Sequence, residues 1–137
     1  MKILFHTNQL GIRGSEVALY DYALFNRTLL GNESIIAYDA LAKGNRDDVI
    51  AKFAAEFPLQ PYSDFATLEP AAEKAGCERA YFIKMGFRDG KLTQRLPSLI
   101  HAVFPTPFEE AHGTIFAFIS EWLSRTISGG VRLSCRT

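Results

Sequence analysis

Five short runs, KILFHT (2–7), SIIAY (34–38), AYFIK (80–84), LIHAVF (99–104) and TIFAFIS (114–120), are apolar along most of their length. A strand with one face in water alternates polar with apolar residues. Runs of this length without that alternation read as strands buried on both faces, as in a parallel sheet sandwiched between helices. The intervals agree with that reading. Over residues 16–30 the period changes: Ala18, Tyr22, Phe25 and Leu29 recur at spacings of four, three and four, which stacks them on one helical face. Ser15 is placed to cap that helix and Gly31 to end it. SIIAY then completes a strand, helix, strand unit in under forty residues.

The alternation continues. Asn45 or Asp47 can start a helix with Ile50, Phe53, Ala54 and Phe57 along one side, and Pro58 follows its end. LQPY (59–62) suits an edge strand, because proline cannot donate to a ladder. Pro70 fits the first turn of another short helix, closed by Gly76. Residues 89–90 (DG) and the prolines at 105 and 107 mark turns, and EWLSRTI is helical in pattern. The expected fold is therefore α/β: a Rossmann-like, doubly wound, mostly parallel sheet of about six strands with helices on both faces, spanning residues 1–127. Residues 128–137 (SGGVRLSCRT) fit no element and read as an irregular tail, or as the point where a longer protein was cut.

Composition narrows the function classes. Fifteen basic side chains cancel fifteen acidic ones, so bulk charge attracts neither nucleic acid nor an anionic membrane. The apolar run after Lys2 is too short for a signal-peptide core or a bilayer span, so a cytoplasmic location is expected. Cys77 and Cys135 match no metal or redox spacing, which points to no disulfide scaffold and no metal site; Cys77 reads as a half-buried thiol.

In open parallel sheets, ligands lie beyond the carboxyl ends of the strands. The loop after the first run, residues 8–14 (NQLGIRG), occupies that place. Its spacing is G-x-x-G, and both the dinucleotide fingerprint and the P-loop are absent. Read as structure alone, Gly11 and Gly14 supply positive φ in a turn and let the following helix approach the strand. Glu16 adds a carboxylate where the helix dipole is positive, which disfavours a bare phosphate but not a sugar hydroxyl. Of the three histidines, His6 and His101 lie near strand ends and His112 in a loop; a histidine in an apolar strand is more often a hydrogen-bonded core residue than a catalyst. Lys84 and Arg88, around KMGFRDG, are cations that can meet an anionic ligand. Asp47–Asp48 and Glu109–Glu110 read as a helix start and a solvated loop, not as a hydrolytic pair. The aromatic residues are spread through helices and strands and read as core.

The run KILFHTNQLGIRGSEVALYDYA resembles the start of the N-terminal domain of GT-B glycosyltransferases of the retaining, nucleotide-sugar-dependent group 1 (family 4) type. Gly14, Ser15 and Glu16 match that family's G-x-E piece, whereas Arg13 stands where its first glycine is usual. LIHAVF resembles the strand carrying the family's active-site histidine, which implies that role for His101. IFAFISEWLS resembles its late strand and helix start, with Ser120 and Glu121 as the -SE- dipeptide. The resemblance implies an acceptor-binding domain, with Gly11, Arg13, Gly14, Ser15, Glu16, Lys84, Arg88, Ser120 and Glu121 on the substrate side. It also implies a nucleotide diphosphate sugar as donor, no metal or cofactor of its own, and a C-terminal donor-binding domain that these 137 residues lack, so that the chain is inactive alone. The crevice face left open by such a missing domain leaves room for weak self-association. Two other readings remain: a free-standing flavodoxin-like or nucleotide-binding module, and an interaction domain without chemistry.

Overall fold

The computed structural model describes residues 1–84, 89–104 and 115–127, with Phe116 and Ile127 described by their backbone only. In chain order the elements are β1 (Lys2–Thr7), α1 (Gly14–Thr28), β2 (Glu33–Asp39), α2 (Asp47–Ala54), β3 (Leu59–Tyr62), a 3₁₀ turn (Phe65–Thr67), α3 (Leu68–Lys74), β4 (Arg79–Lys84), β5 (Ser98–Ala102), β6 (Ile115–Phe118) and α4 (Glu121–Ile127). The six strands make one sheet in the order β3-β2-β1-β4-β5-β6. Every neighbouring pair is parallel, with Phe5 level with Ile36 on one side and Tyr81 on the other. This is the expected α/β, Rossmann-like sheet. β3 lies at its edge, where Pro61 costs no ladder bond.

Successive strand residues face opposite ways, and the core divides accordingly. Leu4, Ile35, Ala37, Ala80, Phe82 and Ile100 pack with Leu68 and Ala72 of α3. Phe5, Ile36, Tyr38 and Ile83 pack on the other face with Leu19 and Ala23 of α1 and Phe53 of α2. Leu4, Ile36, Phe82 and Ile100 are all fully buried, each contributing about 1.5–3 kcal/mol by leaving water. Right-handed crossovers account for the division, because the chain winds one way from β1 to β3 and the other way from β3 onward. The β4–β5 connection follows the same rule: Leu92 and Leu96 join the α3 face. No helix is formed over residues 89–97. The buried Glu69 of α3 secures that segment instead, accepting the backbone N–H groups of Gln94 (3.0 Å), Arg95 (2.6 Å) and Leu96 (2.8 Å). Burial pushes the Glu69 carboxyl up, but these three donors and the nearby Arg95 hold it below its ordinary value.

Three local expectations are corrected. Ser15 is the second residue of α1, not its cap; Arg13 is the N-cap, and Glu16 at the third position accepts the Arg13 N–H at 2.9 Å, the carboxylate half of a capping box. Gly11 and Gly14 do not have positive φ; among the described glycines Gly31, Gly76 and Gly90 do. Gly31, at φ 66°, ends α1 as expected, allowing the Asn32 N–H to reach the Asn26 carbonyl at 3.1 Å. Finally, the side of α1 turned to the core is Leu19, Ala23 and Asn26. Tyr22, Phe25 and Leu29 of the predicted stripe are 45%, 50% and 75% exposed, because among the described residues no helix stands over β4, β5 and β6 on that side to receive them. Cys77 is buried more fully than expected, and burial raises its thiol pKa. Among the described residues, no helix is long and apolar enough to cross a membrane.

Candidate functional site

The winding of the sheet reverses between β1 and β4, and a crevice lies at the carboxyl ends of these strands. The crevice has a volume of about 690 Å³. Thr7, Asn8 and Gln9 leave β1 into it, Arg13, Gly14 and Ser15 start α1 beside it, and Lys84, His101 and Val103 reach it from the ends of β4 and β5. Candidates drawn from distant parts of the sequence are thus brought together.

They differ in how free they are. Glu16 is 1% exposed and holds the loop: its carboxylate accepts from the Arg13 N–H, from Nη2 of Arg13 at 3.0 Å and from the Ser15 hydroxyl at 3.2 Å. Gly11 and Glu16 lie on the α2 side of α1, away from the crevice. Lys84 donates to Asp89 and to the Lys91 carbonyl, both at 2.8 Å, with its side chain 2% exposed. Burial lowers the Lys84 pKa, opposed by Asp89; burial raises that of Asp89, but Lys84 and the Lys91 N–H outweigh it and hold the carboxyl low. Lys84 is therefore an internally paired cation, not an open anion site. Ser120 caps α4, accepting the Leu123 N–H at 3.1 Å, and Glu121 pairs with Arg125 in solvent; neither lines the crevice, although the adjacent Ile119 does. Arg88, His112, Glu109–Glu110, Cys135 and the tail 128–137 lie outside the described residues.

His101 is the central polar group. It projects from β5 toward α1, packed against Tyr22 (ring centroids 5.6 Å) and Tyr81 (5.8 Å), and its Nδ1 is hydrogen-bonded to the Tyr81 hydroxyl. Burial lowers the His101 pKa, while burial and then the neighbouring Tyr22 raise that of Tyr81, so both are neutral near pH 7. With the phenol donating to Nδ1, the tautomer assigned to the ring carries its hydrogen on Nε2. Such a ring orients a hydroxyl or carbonyl oxygen as a donor and is a poor base. Asn8 supplies the complement, since its Oδ1 is buried at the crevice wall without a protein partner among the described residues. His6, the other strand-end histidine, is used differently: it faces α3, fully buried, with Nε2 2.8 Å from the Tyr62 hydroxyl, and burial, then Lys84 and Lys91, push its pKa down to about 3.

The sequence singled out the glycine loop and His101 but missed Asn8, Tyr22 and Tyr81. Asn8 had a signal, its place directly after the first strand. The tyrosines had none, because only the pairing of β4 with β5 and the rotation of α1 bring them to His101. Among the described residues, no group of three or more His, Cys, Asp or Glu side chains is arranged to hold a metal. Comparison with models of known protein families, with curated proteins and with solved structures finds no match for this chain.

Proposed function

We propose that this chain is the acceptor-side domain of a nucleotide-sugar-dependent glycosyltransferase of the retaining type. The observation that carries the reading is the convergence, in one crevice at the reversal point of the sheet, of the Arg13-Gly14-Ser15 helix start, the orphan acceptor of Asn8 and the neutral His101. A donor and an acceptor fixed on neutral side chains suit the hydroxyls of a sugar. The nucleotide diphosphate donor requires a second domain across the crevice, in the same polypeptide or supplied in trans. Transfer with retention needs the departing diphosphate and an oxocarbenium-like sugar stabilised by preorganised donors, and His101 is placed to orient the reacting sugar rather than to take its proton.

The test is a titration of the isotope-labelled chain, followed by amide spectra, with methyl glycosides, UDP-glucose and GDP-mannose, and with flavin mononucleotide as the competing class. Sugars are expected to move the amides of Thr7 to Ser15 and His101, with the response weakened in a folded His101→Ala variant. Silence toward every sugar, or a response of the same amides to the flavin alone, would remove the reading.

A further inference from the structure

On the α1 side of the sheet a groove of about 880 Å³ runs from the edge of the sheet to His101. Its floor is made of the residues of β1, β4, β5 and β6 that point away from α3, including Phe5, Tyr81 and Leu99, and its wall is the exposed side of α1, Tyr22, Phe25 and Leu29. Ile115 and Ile119 on the far side are 54% and 57% exposed. The described part of the β4–β5 connection packs on the opposite face, at Leu92 and Leu96. The apolar groove is also continuous with the polar crevice: Tyr22, His101 and Ile119 line both. A hydroxyl held at His101 therefore stands at the mouth of an apolar channel, and the pair is of the size and character of a small-molecule site.

We propose that the acceptor is an amphiphile, an alcohol or glycoside on a long alkyl or isoprenoid chain, with its apolar tail in this groove and its hydroxyl-bearing head at His101. The assignment rests on the acceptor-side reading of the crevice given above.

Calorimetric titration with methyl, hexyl, octyl and decyl β-glucosides below their micelle concentrations tests it. Affinity is expected to rise by about 2- to 4-fold for each added methylene. Phe25→Asp and Ile115→Asp, both at half-exposed positions, are expected to abolish the dependence on chain length in variants whose circular dichroism matches the parent. Glucosides that bind with an affinity independent of chain length would overturn the groove assignment and leave the sugar-binding crevice standing. Alkyl phosphocholines that bind as tightly as glucosides of equal chain length, with no change in His101→Ala, would overturn the acceptor reading and this assignment with it. A concentration-dependent dimer that Phe25→Asp dissociates, with no alkyl binding, would show a second copy in the groove and overturn the proposal.

Discussion

Two glycines three residues apart in the same motif do different work. A β-carbon added to Gly11 would stand 2.8 Å from the Gly44 carbonyl oxygen, while one added to Gly14 meets nothing within 4 Å. The loop before α1 and the loop before α2 touch backbone to backbone at Gly11, and the Leu10 N–H bond to the Asn45 side chain (2.9 Å) fixes the same approach. Gly11→Ala is therefore expected to destabilise the protein by about 1–3 kcal/mol through forced displacement of backbone. Gly14→Ala, at an ordinary helical φ, is expected to be neutral or to stabilise by about 0.4–1 kcal/mol by restricting the unfolded chain. Urea unfolding of the two variants checks the contrast, and equal losses would contradict it. Spacing alone cannot separate two such glycines, since one answers to a loop thirty-three residues away.

At the scale of the element, α1 carries two apolar stripes on adjoining sides. Leu19 and Ala23 meet the sheet, and Asn26 locks that orientation by donating to the Ser34 hydroxyl at 2.9 Å, which in turn donates to the Ala23 carbonyl. Leu19→Ala is expected to cost about 2–5 kcal/mol, whereas Phe25→Ser should stay within about 0.5 kcal/mol of the parent. Chemical denaturation decides between the two registers, and a large loss at Phe25 would place that residue in the core after all. The helix itself was legible from its period. Which stripe is buried was not, because the pattern at 18, 22, 25 and 29 is as regular as the one at 19, 23 and 26. Strands were the clearest elements, since burial on both faces leaves a run such as SIIAY with no other use.

For the molecule as a whole, the sheet order follows from crossover handedness and short connections, and so the architecture could be read from the order of elements. The site was legible only in part: its location beyond the strand ends is a property of the fold, while the pairing that leaves Lys84 closed and Asn8 open depends on loops with no periodic signal. Global stability should carry the mark of His6. Its pKa falls from 6.5 in the unfolded chain to about 3 in the fold, so between those values the unfolded state binds more protons. The contribution is complete above pH 6.5 and is lost as pH falls. Between pH 7 and pH 5 the loss from this residue is about 2 kcal/mol, with His101 adding in the same direction. Urea unfolding at the two pH values measures it, and the His6 ring resonance should not titrate over that interval; a ring midpoint above pH 5 would refute the assignment.

The grip of Glu69 on the segment before β5 bears on what this molecule can host. Three successive main-chain N–H groups, those of Gln94, Arg95 and Leu96, form a concave nest of the kind that elsewhere receives phosphate. Here the chain lodges its own carboxylate in it, as Glu16 does at the start of α1. With both of these main-chain seats filled from within, an anionic ligand gains nothing from either, and the anchoring of two loops is independent of any bound ion.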